Sequence, residues 1–143
     1  MIVISDTTPI ISLLKINRLD LLEKSFGEVL IPNAVYEELT ADKRFIEEAR
    51  IVKDAPYIKP VPVSNPEAVR ILRMATGLDQ GESDAIVLTD ERKADILLMD
   101  EAKGSVISGK MGITVMGTIG ILISAYEDNL ITSEEVRKSI DDL

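Results

Sequence analysis

The sequence predicts an α/β fold in which helices cover both faces of a parallel sheet. Short apolar runs alternate along the chain with longer segments of helical periodicity, which is the pattern of strand–helix–strand units. The strand-like runs are short and β-branched rather than alternating, so they are expected to be buried on both faces. Two of these runs, residues 2–5 and 96–99, each end on an aspartate, Asp6 and Asp100. The length of 143 residues fits a single domain over 1–143.

Five strands and nine helices follow from the periodicity and from the positions of glycine and proline. The segment Asp54–Pro66 contains four prolines, so it is predicted to be a loop with at most a short edge strand. The predicted strands are 2–5, 28–31, 57–59, 96–99 and 113–116, and the predicted helices are 8–15, 17–25, 32–40, 43–53, 65–75, 79–93, 101–110, 117–127 and 132–143.

Capping residues set the predicted helix boundaries. Asn17 is predicted to cap the second helix, and Pro32 fits the first turn of the third. Gly77 is expected to end the helix that starts at 65. Asp79-x-x-Glu82 and Thr132-x-x-Glu135 both match the capping-box pattern, in which two side chains satisfy two free backbone N–H groups.

Composition excludes several kinds of catalytic site. The chain has no cysteine and no histidine. Disulfides, thiol nucleophiles, Ser-His-Asp triads and metal sites built on Cys or His are therefore ruled out. Hydrophobic residues make up 45% of the chain, enough for a sizeable core, but aromatic residues only 3%. Any catalysis must use carboxylates, hydroxyls, Lys, Arg or a metal ion held by oxygen atoms.

The net charge of −9 argues against broad nucleic-acid affinity through a basic surface. It is compatible with a basic protein partner, with an acidic pocket that holds a metal ion, or with solubility alone. No apolar run is long enough to suggest a membrane span, and Met1–Asp6 has no basic start typical of a signal peptide. We expect a cytoplasmic protein with no membrane partner.

Four acidic side chains are predicted to meet at one end of the sheet. Asp6 and Asp100 follow strands, and the carboxyl ends of parallel strands form the ligand crevice of an open α/β sheet. Crossover helices start at the same end, which brings in Glu38 and Asp84. Glu38 lies about 80° from the buried stripe of its helix, whereas Glu37 falls on the solvent side.

Each acid also has a purely structural interpretation. Asp6 and Asp100 are good N-caps for the helices that follow them. In this interpretation, Glu38 is an ordinary surface residue of its helix, and Asp84 only interacts favourably with the helix dipole. Glu82 is interpreted as the capping-box partner of Asp79, with at most a supporting role at the site.

Oxygen ligands indicate the metal and the reaction. Carboxylates and water suit Mg²⁺ or Mn²⁺. These ions lower the pKa of a bound water and clamp both oxygens of an in-line phosphoryl displacement, so no histidine base is needed. The reaction class favoured by the sequence is phosphodiester hydrolysis.

The order of the acidic motifs resembles the PIN-domain nucleases, and specifically a prokaryotic toxin-like subgroup of the VapC type. The resemblance covers nearly the whole chain. Its motifs are Ile4-Ser-Asp6-Thr-Thr-Pro, Ile31-Pro-Asn-Ala-Val-Tyr-Glu-Glu38-Leu, Leu78-Asp-Gln-Gly-Glu-Ser-Asp84-Ala-Ile, Leu97-Leu-Met-Asp100-Glu and Gly112-Ile-Thr-Val-Met-Gly-Thr-Ile-Gly.

The resemblance implies a doubly wound three-layer α/β/α fold with strand order 3-2-1-4-5. It implies a metal-dependent endoribonuclease that cleaves RNA with Mg²⁺ or Mn²⁺, often the toxin of a toxin–antitoxin pair with a small basic antitoxin, and commonly a homodimer. The chain departs from the subgroup at Ser105, where Arg usually follows Gly104. The residues expected at the site are Asp6, Glu38, Asp84 and Asp100 as catalytic metal ligands, Thr7, Thr8 and Glu82 in support, and Lys103 and Lys110 as RNA contacts.

Other interpretations remain open from the sequence. A catalytically degenerate PIN-like scaffold that binds RNA or protein would explain the missing Arg and the charge of −9. A haloacid-dehalogenase-like phosphatase or a receiver domain would need acidic pairs near the first strand that the chain lacks. The apolar helix 117–127 is expected to pack on the sheet, or alternatively to form a dimer seam through Gly117, Gly120 and Ser124.

Overall fold

The computed structural model describes residues 1–143 and contains one five-stranded, all-parallel sheet. Its strand order is β3-β2-β1-β4-β5, which confirms the predicted doubly wound architecture. The strands are β1 (Val3–Ser5), β2 (Val29–Pro32), β3 (Ile58–Val61), β4 (Ile96–Leu98) and β5 (Val115–Met116).

Nine α-helices and one short 3₁₀ turn, Lys43–Phe45, surround the sheet. None of these helices is long and apolar enough to cross a membrane. The helices are α1 (Thr7–Lys15), α2 (Asp20–Phe26), α3 (Asn33–Ala41), α4 (Ile46–Lys53), α5 (Pro66–Thr76), α6 (Gln80–Arg92), α7 (Ala102–Lys110), α8 (Thr118–Glu127) and α9 (Ser133–Asp142).

Alternating strand residues bury both faces of the sheet. In β1, Val3 packs in the cluster formed with α1 to α4, while its neighbour Ile4 packs in the cluster formed with α6. Successive strand side chains point to opposite faces, so two apolar residues in a row require helices on both sides. Helix α9 lies outside α8, where Leu122 and Ala125 of α8 pack with Ile131.

The register of β1 and β4 places the two strand-terminal aspartates at one edge. Ser5 pairs with Leu98, and the backbone N–H of Asp6 donates to the carbonyl of Leu98 at 2.9 Å. Asp6 and Asp100 therefore follow neighbouring strands at their carboxyl ends, as the motif order implies. The crevice predicted from the sequence thus forms between adjacent central strands.

One local prediction is wrong, and the edge strand predicted in the proline-rich segment is present with different bounds. Asn17 does not cap α2; Leu19 occupies that position, and Asn17 adopts a left-handed conformation (φ 58°) just after α1. Asparagine tolerates this conformation better than most residues, so Asn17 serves the turn between the two helices. The edge strand β3 is Ile58–Val61, longer than predicted, because Pro60 fits an edge strand that needs no N–H on its outer side.

Candidate functional site

Asp6 is the most buried acid of the crevice. It is 3% exposed, and its side chain makes no capping hydrogen bond to α1, so the capping interpretation is wrong. Burial raises the pKa of Asp6 from 3.8 to about 6; the nearby N–H of Thr7 opposes that rise, and Asp79, Glu38 and Asp100 add to it. A carboxylate in this setting favours a proton or a cation.

Glu38 reaches the crevice from the second turn of α3. Its Oε2 accepts a hydrogen bond from the Thr7 hydroxyl at 3.1 Å. Partial burial raises the pKa of Glu38, Thr7 lowers it, and Asp79 raises it further. Gly81 makes this position possible, because a Cβ at Gly81 would collide with the Glu38 carboxylate.

Asp100 is held at the start of α8. Its Oδ1 accepts from the Thr118 backbone N–H at 2.7 Å, and its Oδ2 accepts from the Thr118 hydroxyl at 2.5 Å. A Cβ at Gly117 would lie 2.8 Å from Asp100 Oδ1, so this glycine is needed for the close approach. Asp100 does not cap α7, since Glu101 does so through the N–H of Gly104.

Asp79 and Glu82 bring two more carboxylates to the crevice at the start of α6. Asp79 accepts from the Glu82 N–H at 2.8 Å, but Glu82 does not return the second bond of a capping box. Desolvation, the hydrogen-bonding proximity of Asp79 and the charges of Asp79, Glu101 and Asp6 raise the pKa of Glu82 to about 7. The structure thus places Glu82 in the crevice rather than in a cap.

These side chains form a group that we call the acidic cluster. No lysine or arginine forms an ion pair with any of its members. Like charges this close raise one another's pKa unless a cation lies between them. The cluster consists of Asp6, Glu38, Asp79, Glu82, Asp100 and Glu101.

The donor chemistry of the cluster fits a hard divalent cation. Every candidate ligand is a carboxylate or hydroxyl oxygen, the type that Mg²⁺ and Mn²⁺ prefer. As the side chains lie, however, no three of them are close enough to hold an ion. Glu38, Asp79, Asp100 and Glu101 instead accept hydrogen bonds from the protein. Ligation therefore requires side-chain rotations about a backbone that already places the acids at one edge.

Asp84 does not join the acidic cluster. It lies two residues after Glu82, which rotates it by about 200° around α6. Asp84 is 8% exposed, and its Oδ1 accepts from Gln80 Nε2 at 2.7 Å. Burial raises its pKa, Gln80 and Arg73 lower it, and the only acid that acts on it is Glu91. The structure thus places Glu82, and not Asp84, among the other acids of the crevice.

The remaining predicted residues differ in their placement. Thr7 supports Glu38, whereas Thr8 is exposed and makes no side-chain hydrogen bond within the protein. Lys103, in the first turn of α7, has its Nζ 3.6 Å from the position that a Cβ on Gly77 would take. Lys110 ends α7 about 10 Å further along the helix, away from the crevice.

Sequence reasoning missed Asp79, Gly81, Gly117 and Thr118 as parts of the site. Asp79 and Gly81 belong to the pattern Asp79-x-x-Glu82, which the start of a helix is enough to explain. Gly117 and Thr118 follow β5, so a signal was present, because β5 is a further parallel strand ending at the same edge.

Comparison with known proteins gives one family. Residues 2–143 match the family model DUF3368, described as a PIN domain. No curated protein matches the chain with significant similarity.

Proposed function

Because the chain belongs to the PIN-domain family, a nuclease fold that typically uses divalent metals, we propose that it is a metal-dependent endoribonuclease. The observation that carries the proposal is the acidic cluster, six carboxylates without a cationic partner, contributed by the carboxyl ends of β1 and β4 and by the adjoining helices α3 and α6. An RNA phosphate would be repelled from this cluster unless a cation were bound there.

The proposed ligands are Asp6, Glu38, Glu82 and Asp100. When bound, Mg²⁺ or Mn²⁺ activates water and neutralises charge on the phosphate. Asp6 supplies a rigid, buried oxygen between the strands, and Thr7 and Thr118 orient Glu38 and Asp100. Asp79 lies beside Glu82 and raises its pKa, which favours a proton or a cation at the pair.

A cleavage assay tests the proposal. End-labelled single-stranded RNA is incubated with the protein in Mn²⁺, with EDTA and with the Asp6→Asn variant as controls. We expect cleavage that needs both the metal and Asp6. Equal cleavage by Asp6→Asn would show that another site, or a contaminant, is responsible.

The second candidate is a catalytically degenerate scaffold. The observation that favours it is that no three acids are positioned as ligands, together with Ser105 where the subgroup carries Arg. Calorimetry with Mg²⁺ and Mn²⁺ separates the two. Tight binding that is lost in Asp6→Asn supports the enzyme, and absence of binding supports the scaffold.

A toxin role with a small basic antitoxin is part of the proposal. A groove of about 380 Å³ between α1, α3 and α4 supports it, since it has apolar walls and a rim with three acids and one lysine, Lys15, a net negative charge that suits a basic amphipathic segment. Co-purification with the product of an adjacent small reading frame would test the pairing. The walls are Ile11, Leu14, Leu39 and Phe45, and the rim includes Glu38 and Glu48.

A homodimer is proposed through α8, but not through its small residues. Gly120 is only half-exposed, and its missing Cβ makes room for Met116 of the same chain. The outward side chains Ile119, Ile123 and Tyr126 are 51%, 45% and 48% exposed and recur at helical spacing. Light scattering at micromolar concentration should give a dimer mass, reduced to a monomer by Ile123→Glu.

A further inference from the structure

A second site lies on the side of α6 that faces away from the acidic cluster. It is an open pocket of about 820 Å³ between the end of β3, α5 and the first turns of α6. Gly77 lies in its wall, with Lys103 against the same glycine. Asn33, the first residue of the helix that carries Glu38, also lines it. Asn33 and Lys103 therefore connect this side of α6 with α3 and α7, the helices next to the acidic cluster.

Asp84, Gln80 and Arg73 form a hydrogen-bonded chain in the pocket wall. Gln80 Nε2 donates to Asp84 Oδ1 at 2.7 Å, and Arg73 Nη1 donates to Gln80 Oε1 at 2.8 Å. The carboxylate only accepts and the guanidinium only donates, so this is the single amide orientation that satisfies both. The buried Asp84 thus fixes Gln80, and Gln80 fixes Arg73.

The guanidinium of Arg73 remains available to an anion. It is exposed and forms no ion pair with a carboxylate, and only one of its N–H groups is used within the protein. Arg70, one turn earlier on α5, lines the same pocket but pairs with Glu67. A planar, oriented guanidinium with free donors matches the oxygens of a phosphate.

We propose that this pocket binds a backbone phosphate of the RNA strand, with Arg73 as its ligand and Gln80 and Asp84 as positioning residues. The inference rests on the proposed function in naming RNA as the bound strand. It gives a chain of net charge −9 a local cationic contact on the side of α6 opposite its acidic cluster. Lys103 extends that contact toward the crevice, and the exposed Met74 adds an apolar wall for a base.

Binding without cleavage tests the proposal. Fluorescence anisotropy of labelled single-stranded RNA is measured with the wild-type protein in EDTA at low salt, where hydrolysis plays no part. Arg73→Gln should raise Kd about tenfold and reduce the dependence of log K on log salt by about one ion. Gln80→Leu should raise Kd about threefold, since Arg73 then loses its orienting partner.

The matched control is Arg137→Gln. It removes the same charge from an exposed position on α9, which packs on α8 rather than on α5 or α6. Equal Kd values for Arg73→Gln and Arg137→Gln would overturn the proposal, as would a wild-type protein that binds no RNA. If the protein binds AMP in an Arg73-dependent way but does not bind RNA, the pocket is a mononucleotide site and the proposal of an RNA strand is wrong.

The two proposals fail separately. If the wild-type protein binds RNA in an Arg73-dependent way but shows no metal-dependent cleavage, the nuclease proposal is refuted and the pocket proposal is supported. The opposite result is cleavage that needs Asp6 but is equally fast in Arg73→Gln and wild type at subsaturating RNA. It would support the nuclease and refute the pocket, because a substrate contact must appear in kcat/KM.

Discussion

The two sides of α6 hold acidic residues in opposite electrostatic situations. Glu82 faces the crevice, where burial and then three other carboxylates raise its pKa to about 7. Asp84, two residues later, faces α5, where Gln80 and Arg73 lower the pKa that burial has raised. One side of the helix therefore attracts a cation, while on the other side an amide and a nearby guanidinium partly offset the effect of burial. The comparison shows that position around the helix, not closeness in sequence, decides which acid lies in the acidic cluster.

The largest expected effect is a difference in cleavage between variants of these two residues. Glu82→Gln removes a metal ligand and should lower metal-dependent cleavage by roughly 100-fold or more. Asp84→Asn keeps an oxygen that accepts from Gln80 and should change cleavage by less than about threefold. Single-turnover rates at saturating Mn²⁺ measure both. The reverse order of the two variants would restore Asp84 as the ligand.

The next effect concerns stability without metal. The pKa of Asp6 is raised in the folded state, so the fold binds this proton more tightly than the unfolded chain between pH 3.8 and about 6. The stability that this proton contributes is therefore lost as pH rises through that window, and the loss reaches about 3 kcal/mol. At pH 8 in EDTA, the Asp6→Asn variant should therefore be more stable to unfolding than the wild type, by up to about 3 kcal/mol.

Urea unfolding in EDTA at pH 4 and pH 8 measures this difference. Asp141→Asn is the control, because Asp141 is exposed on α9 and makes no side-chain hydrogen bond. Mn²⁺ should stabilise the wild type and leave Asp6→Asn unchanged, since ligand binding to the folded state alone raises stability. A variant less stable than wild type at pH 8 would contradict the electrostatic account of the crevice.

A smaller effect is expected from the glycine that admits Glu38. Gly81→Ala places a Cβ against the Glu38 carboxylate, and the shift should weaken Mn²⁺ binding about tenfold. Gly109→Ala is the matched control: it lies in α7 with nothing near its added Cβ and should raise stability by up to about 1 kcal/mol. Calorimetry reports the affinity. Similar Mn²⁺ affinities for both variants would remove Glu38 from the site.

The smallest effect concerns Thr118. Thr118→Val keeps the shape of the side chain and the backbone bond to Asp100 but removes the hydroxyl bond, and should weaken Mn²⁺ binding only a few-fold. Thr89→Val loses a buried hydroxyl bond within α6 and should leave the metal affinity as it is. A larger loss of affinity in Thr89→Val would mean that Thr118 does not orient Asp100.

The sequence predicts the strands and their ends better than it predicts which acids meet. Asp6 and Asp100 follow apolar runs, and strand ends in a parallel sheet share one edge whatever the helices do. Glu82 was hidden because Asp79-x-x-Glu82 and Thr132-x-x-Glu135 are the same local pattern. In α9 both bonds of the capping box form, whereas in α6 only Asp79 caps. The Glu82 side chain lies instead among the other acids, a neighbourhood set by tertiary packing.

Both borders of the sheet have a property that bears on how this protein meets other chains. The outer strand β3 contains Pro60, which offers no N–H, and β5 at the opposite border has only two residues. Exposed strands with free backbone groups recruit further strands and lead toward fibrils, and a proline or a very short strand blocks that growth. Growth of the sheet by added strands is therefore disfavoured at both borders, so recognition of this protein by a second copy or another molecule relies on side chains of its helices and loops.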